Sequence, residues 1–131
     1  DPANSAIIVV PIDRGATTDA TFKDQDTLSS VLGSSTERTT NGWNRKTLTD
    51  ADLSALAVDD TNDRMPATIP ALVWTAVSAG AVTDLVFCYD SDTTTGTDAN
   101  VIPLTMNAFP ITPDGSDVVA VVNAAGFFRA S

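Results

Sequence analysis

Aspartate is the chemically active side chain that this chain offers in quantity, and its spacing limits the chemistry available. The run Asp90-Ser91-Asp92-Thr93-Thr94-Thr95-Gly96, with Asp98 close behind, starts like an oxygen-ligand loop for calcium. An EF-hand loop requires glycine at its sixth position and a bidentate glutamate at its twelfth. Here the glycine stands seventh and the twelfth residue is Val101, with no helical pattern on either side. The run therefore reads as a solvated hairpin loop, with a loop-type calcium site as the rival reading. Asp59, Asp60 and Asp63 share a second turn and form the other candidate for paired-carboxylate acid–base work. Turn formation and solvation account for them, and a hydrolase built on them has nothing further behind it. The chain has no histidine, which removes Ser-His-Asp, Cys-His and His-metal constellations together. It has no Gly-rich phosphate loop, and its single cysteine, Cys88, lies inside an apolar run and reads as a small buried hydrophobe. The expectation is a protein that is not an enzyme, with no catalytic residue, cofactor or metal.

The element that must organise everything else is Thr83–Asp90, TDLVFCYD. Leu85 through Tyr89 are apolar without a break between Asp84 and the polar run that begins at Asp90. A half-exposed strand alternates, whereas an unbroken apolar run predicts a strand covered on both faces. Leu85, Phe87 and Tyr89 should then fill one side, and Val86 and Cys88 the other. Ile7-Ile8-Val9-Val10 and Val118-Val119-Ala120-Val121-Val122 have the same character.

The remaining stretches follow in order. Ser5–Asp13 is the first strand, and Pro11, unable to donate to a ladder, places that end at a sheet edge or outside the sheet. Arg14–Lys23 reads as a loop. Asp24–Gly33 is the helix candidate: Asp26 as cap, Leu28, Val31 and Leu32 on one face, Gly33 as the stop. At about two turns it must dock on the sheet to persist. Asn41-Gly42 is a turn leading into a strand Trp43–Leu48, with Trp43, Arg45 and Thr47 on one side and Asn44, Lys46 and Leu48 on the other. Leu53–Ile69 reads as a hairpin turning at Asp60–Asp63, its second arm shortened by Pro66 and Pro70. Ala71–Val77, Val101–Phe109 (ended by Pro110) and Val118–Val122 are further strands, with a Pro-Asp-Gly turn inside Thr112–Asp117. Seven or eight short strands at spacings of about 8–12 residues predict an all-β fold, an antiparallel β-sandwich or a jelly-roll-like small barrel with one short helix.

With 131 residues, 43% of them hydrophobic, residues 1–131 are expected to form one domain around one core. Seven basic against seventeen acidic residues give a net charge of −10. No basic patch is present to neutralise phosphates, so neither nucleic acid nor an anionic membrane is an expected partner. No stretch reaches the ~18 apolar residues of a membrane span. One cysteine excludes an internal disulfide, and nothing reads as a signal peptide. The chain opens at Asp1-Pro2 without methionine, so residues upstream are expected. The adjacent Phe127, Phe128 and Arg129 are unusual near a chain end, and the two rings are expected to be buried, in the domain's own core or in a neighbour.

From Asn41 to Ser131, and more loosely over Ile7–Asp13 and Phe22–Leu32, the sequence resembles a family of small tailed-bacteriophage virion proteins. The likeness rests on the order of NGWNRKTLT, VDDTNDR, the tryptophan strand, LVFCYD, IPLT and TPDGSD…NAAGFFRAS along the chain. The resemblance implies a structural protein of the particle, with head decoration (cement) and tail or neck roles both open. Acidity and double-sided strands favour decoration of the outer capsid surface. The implied partners are the major capsid protein and further copies of this chain as a homo-oligomer, a trimer being one arrangement. The candidate contacts are the terminal segments, with Ile7, Ile8, Phe127, Phe128 and Arg129 as interaction residues. A rival of another class is a carbohydrate-binding module stacking sugars on Trp43 and Trp74, although both rings are expected in the core.

Overall fold

A computed structural model describes residues 4–53, 60–63, 65–67, 69–122 and 128–130; for 65–67 and 128–130 it describes the strand pairing alone. The described elements run β1 (Ala6–Asp13), α1 (Asp19–Lys23), α2 (Leu28–Gly33), β2 (Thr36–Glu37), β3 (Lys46–Leu48), α3 (Asp50–Leu53), β4 (Met65–Ala67), β5 (Leu72–Trp74), β6 (Val82–Asp90), β7 (Ile102–Ile111), β8 (Val118–Ala120) and β9 (Phe128–Ala130). The fold is mostly β, with antiparallel sheets of five and two strands and three short helices in place of the single one expected. The described strands close no barrel.

β6 lies between β1 and β7, and the far edge of β1 is shared by β3 and β2. β1 and β6 pair in unbroken register from Ala6 opposite Asp90 to Ile12 opposite Asp84. Their apolar runs bury both faces of the sheet, as the sequence predicts. On one face Val9, Leu85 and Phe87 pack with Trp43, Leu48 and the inner residues Leu72, Trp74, Val118 and Ala120 of the β5–β8 pair. On the other, Ile8, Val10, Ile12, Val86 and Cys88 pack with Phe22 of α1, Leu28 and Val31 of α2, and Val101. Tyr89 is half-buried at the end of β6.

The helices differ from expectation for local reasons. α2 begins at Leu28 because Thr27, not Asp26, is its cap, accepting from the Ser30 amide at 3.2 Å. Its opening amides, Leu28 and Ser29, donate to the carbonyls of Val101 and Asp98, both at 2.9 Å, tying the helix to the loop after β6. α1 lies in the stretch read as loop; Thr18 caps it and Phe22 is its one buried residue. In α3 the Asp52 carboxylate reaches back to accept from the Thr49 amide at 2.9 Å, one half of a capping box, and Leu53 is the end of this helix instead of the start of a strand.

Four strand expectations are also corrected. Pro11 stays inside β1, opposite Leu85. Its carbonyl accepts from the Arg38 amide at 2.9 Å, so its donor-less nitrogen faces the gap between β3 and β2 and costs no bond to β6. β3 is limited to Lys46–Leu48, so Trp43 and Leu48 enter the same cluster instead of opposite sides. β7 continues through Pro110 to Ile111, which its position at the sheet edge allows. β8 is covered on its inner face only, with Val119 exposed. Of the expected hairpin, the turn at 60–63 is present, residues 54–59 lie outside the described residues, and β4 pairs with β9. The Asn41-Gly42 turn is present, and a Cβ on Gly42 would stand 2.8 Å from the Thr75 carbonyl oxygen, so this position requires glycine.

Candidate functional site

Three arginines fasten the loops to the central sheet. Arg14, just past β1, forks onto Asp84 of β6 through Nε at 2.7 Å and Nη2 at 2.6 Å, while its Nη1 reaches Asp19 of α1 at 2.5 Å. These hydrogen bonds, with Asp84 first and Asp19 second, raise the guanidinium above its ordinary pKa. Asp84 is 1% exposed, the one buried charged residue among those described, so Arg14 is what makes its burial tolerable. Arg45 forks twice, onto Asp98 at 2.6 and 2.8 Å and onto Glu37 at 2.7 and 2.8 Å. Its bonds raise Arg45 and hold Asp98 below the usual carboxylate range. Arg38 joins Asp13 at 2.7 Å and the Ala81 carbonyl at 2.9 Å. Lys46 sits 5.4 Å from the centre of the Trp74 ring. Arg14, Arg38 and Arg45 thus each spend their charge on carboxylates of the chain itself, within a net charge of −10.

Asp90 and Asp98 line one small cleft beside Arg45, but the three suspected calcium carboxylates do not converge as a ligand group. Asp92 accepts from the Thr94 amide at 3.0 Å, the Thr94 hydroxyl at 2.6 Å and the Thr95 hydroxyl at 2.7 Å. Those bonds lower it to about 2, the hydroxyl of Thr94 contributing most. Asp90 accepts from the Asp92 amide at 3.0 Å, and Asp98 is held by Arg45. Among the described residues no group of three or more His, Cys, Asp or Glu could hold a metal ion. In the other acidic turn, Asp60 and Asp63 are exposed and Asp59 lies outside the described residues. Cys88 is buried in β6, and burial pushes its thiol up to about 12.

Trp43 and Trp74 are 2% and 0% exposed and pack edge to face with ring centres 5.3 Å apart. Their indole N–H groups donate to the Gly80 and Asn44 carbonyls, so neither ring offers a face to a sugar. Ile7 and Ile8 lie within β1, paired to both neighbouring strands, with Ile8 buried and Ile7 packed against the opposite cluster. They cannot act as a free arm without unpairing the central sheet. Phe127 lies outside the described residues. Phe128 and Arg129 stand in β9, opposite Ala67 and Pro66 of β4.

The surface feature that strand-by-strand reading missed is a segregation of charge. Residues 65–83, 99–113 and 118–128 contain no Asp, Glu, Lys or Arg. All five large hydrophobic side chains that are exposed among the described residues fall in these stretches. They are Val73, Ile102, Leu104, Val119 and Val121. The signal was available as long gaps between charges in an acidic chain. Such patches, framed by charged surface, suit protein–protein contact. A cleft of about 570 Å³ also opens between α1 and β7, floored by Phe22, Val31, Val86 and Met106 with Lys23 at its rim. Compared with family models, curated proteins and solved structures, the chain finds no match.

Proposed function

We propose that this protein is a structural component of a tailed-phage particle, a capsid decoration protein that sits on the outer shell and bridges capsid subunits. In this reading the β5–β8 pair over one face of the main sheet is the second layer of a β-sandwich. The partners are the major capsid protein and further copies of this chain, and no catalytic step is involved. The setting rests on the resemblance of Asn41–Ser131 to small virion proteins. The role rests on one observation above all: the large exposed apolar side chains among the described residues all fall in charge-free stretches, while Arg14, Arg38 and Arg45 are each tied to carboxylates of the chain itself. Such a surface sheds DNA and indiscriminate partners yet keeps dry patches for specific docking. Gly126–Ser131 is the candidate capsid anchor. Phe127 or Phe128 would supply apolar surface and Arg129 a fork for a capsid carboxylate; of these, Phe128 and Arg129 stand in the strand paired with β4.

The test is the protein's location and copy number in intact particles, read by density and quantitative mass spectrometry, with the heat tolerance of particles that lack it. We expect many copies on the shell, and depleted particles that assemble but fail at lower temperature. Low copy number confined to the tail or neck would overturn decoration in favour of a tail or neck role.

A further inference from the structure

We infer that the outer face of the β5–β8 ribbon, centred on the cross-strand pair Val73 and Val119, is the contact with a second copy of this chain across a two-fold axis. The inference takes from the preceding reading only that copies associate, and it is argued from the surface itself. The ribbon register sets Leu72 opposite Ala120, Val73 opposite Val119 and Trp74 opposite Val118. Alternation sends the first and third pairs into the core and leaves the valine pair outside, 43% and 50% exposed. Val121, 78% exposed, follows just beyond β8. Strand formers placed outward in adjacent strands make a small apolar ridge where a solvated ribbon would carry polar residues.

Charge indicates what covers this ridge. Two copies carry −10 each and repel, so they can meet only where no carboxylate is brought against another. The ribbon lies in two of the charge-free stretches, and the acid next to it in sequence, Asp117, accepts from the Ala76 amide at 2.8 Å. A partner of different charge would gain most by facing the acidic surface, whereas a like-charged copy gains most from an uncharged one. A single self-complementary patch closes as a two-fold pair, since a head-to-tail contact needs two different matching surfaces. The other exposed apolar pair, Ile102 and Leu104, is less suited to pairing. It sits on an edge strand interrupted by Pro103 and Pro110 and by two register shifts against β6, the usual protections of an edge. Three-residue strands bury a modest area, so the pair is weak in isolation and multiplied on an array.

The experiment is sedimentation of the full chain across a wide concentration range, at low and high salt, with Val119→Asp and Val119→Lys run alone and mixed. The wild type should move from 13.6 kDa to twice that mass as concentration rises. High salt should favour the pair, because it screens the repulsion of the two acidic copies and weakens no attractive ion pair. Each variant alone should stay monomeric. An equimolar mixture should recover the dimer, since a two-fold contact sets the introduced carboxylate of one copy against the introduced ammonium of the other. Should Val119→Asp fail to fold, Val121→Asp tests the same face from outside the strand. A wild type that stays monomeric, a species of another order, variants that still dimerise, or a mixture that does not recover each overturns the inference. Because the assay uses the isolated protein, its failure is distinct from absence of the protein from the capsid surface.

Discussion

The guanidinium of Arg14 and the carboxylate of Asp84 meet through two hydrogen bonds of 2.7 and 2.6 Å, linking positions 70 residues apart. The pair fixes the end of β1 and, through Asp19, the start of α1 against the central strand. Asp84 has almost no access to water, so removing its partner leaves a buried charge uncompensated. Arg14→Met keeps much of the stem that packs near Phe22 but should destabilise the fold by about 3–5 kcal/mol. Arg14→Met combined with Asp84→Leu should cost clearly less than Arg14→Met alone. Urea denaturation of both variants checks this, and a single-variant loss under about 1 kcal/mol would mean that Asp84 finds water instead.

Asp98 gives the fold an acid limit with a defined sign. Hydrogen bonds from Arg45 hold its folded pKa below the ordinary value, outweighing the opposing effect of burial. A depressed carboxylate contributes stability that is fully present above the unfolded value of about 3.9 and lost as pH falls through the folded value. The melting temperature should therefore hold from neutrality to about pH 5 and fall in the region below about 4. Asp98→Asn should lower stability at neutrality and flatten that acid limb. An acid limb unchanged in this variant would show that the Arg45 fork does not govern acid unfolding.

Phe87 carries the double-sided reading of β6. It is buried among Val9, Leu85 and the ribbon's inner residues. Phe87→Ala should cost about 3–5 kcal/mol, the range for truncating a large core side chain. A loss under about 1 kcal/mol in equilibrium unfolding would sink the account of this face.

Much of that core was legible because Leu85–Tyr89 and Ile7–Val10 are unbroken apolar runs, and such runs name a strand without needing its neighbours. The same signal misled at Val118–Val122, where a continuous run does not distinguish a strand covered twice from one whose outer face is left open. α1 was invisible because a single turn with only Phe22 buried has no period to detect. Asp26 and Thr27 are both good caps for α2, and the choice of Thr27 depends on where Val101 and Asp98 offer their carbonyls. The arginine forks were unreadable in principle, since Arg14 and Asp84, or Arg45 and Asp98, become neighbours only once the sheet exists. The charge-free stretches could have been read directly from the spacing of acids and bases.

Cys88 reports on the same sheet. Its thiol is buried and pushed up to about 12, so the reactive thiolate is scarce at neutral pH and a reagent cannot reach it. Labelling by a thiol reagent should be slow in native buffer and immediate in denaturant, with a native rate that follows opening of the sheet. Rapid complete labelling of the folded protein would show that β6 is not sealed by α2 and Val101.

The loop after β6 makes the sharpest test of the metal question. A calcium site needs several oxygens pointed at one place, with carboxylates not already committed elsewhere. Here Asp92 is capped by the hydroxyls of Thr94 and Thr95, Asp90 accepts from the Asp92 amide, and Asp98 belongs to Arg45. Binding an ion would have to break those bonds before gaining its own. Melting curves in calcium, in magnesium and in chelator should therefore coincide. Asp92→Asn should leave all three unchanged relative to one another while loosening the loop locally, seen as faster amide exchange at Thr94. A midpoint raised by several degrees in calcium alone, and abolished by Asp92→Asn, would establish that the loop rearranges into an ion site, and the Asp92–threonine bonds would then be a resting arrangement that calcium displaces.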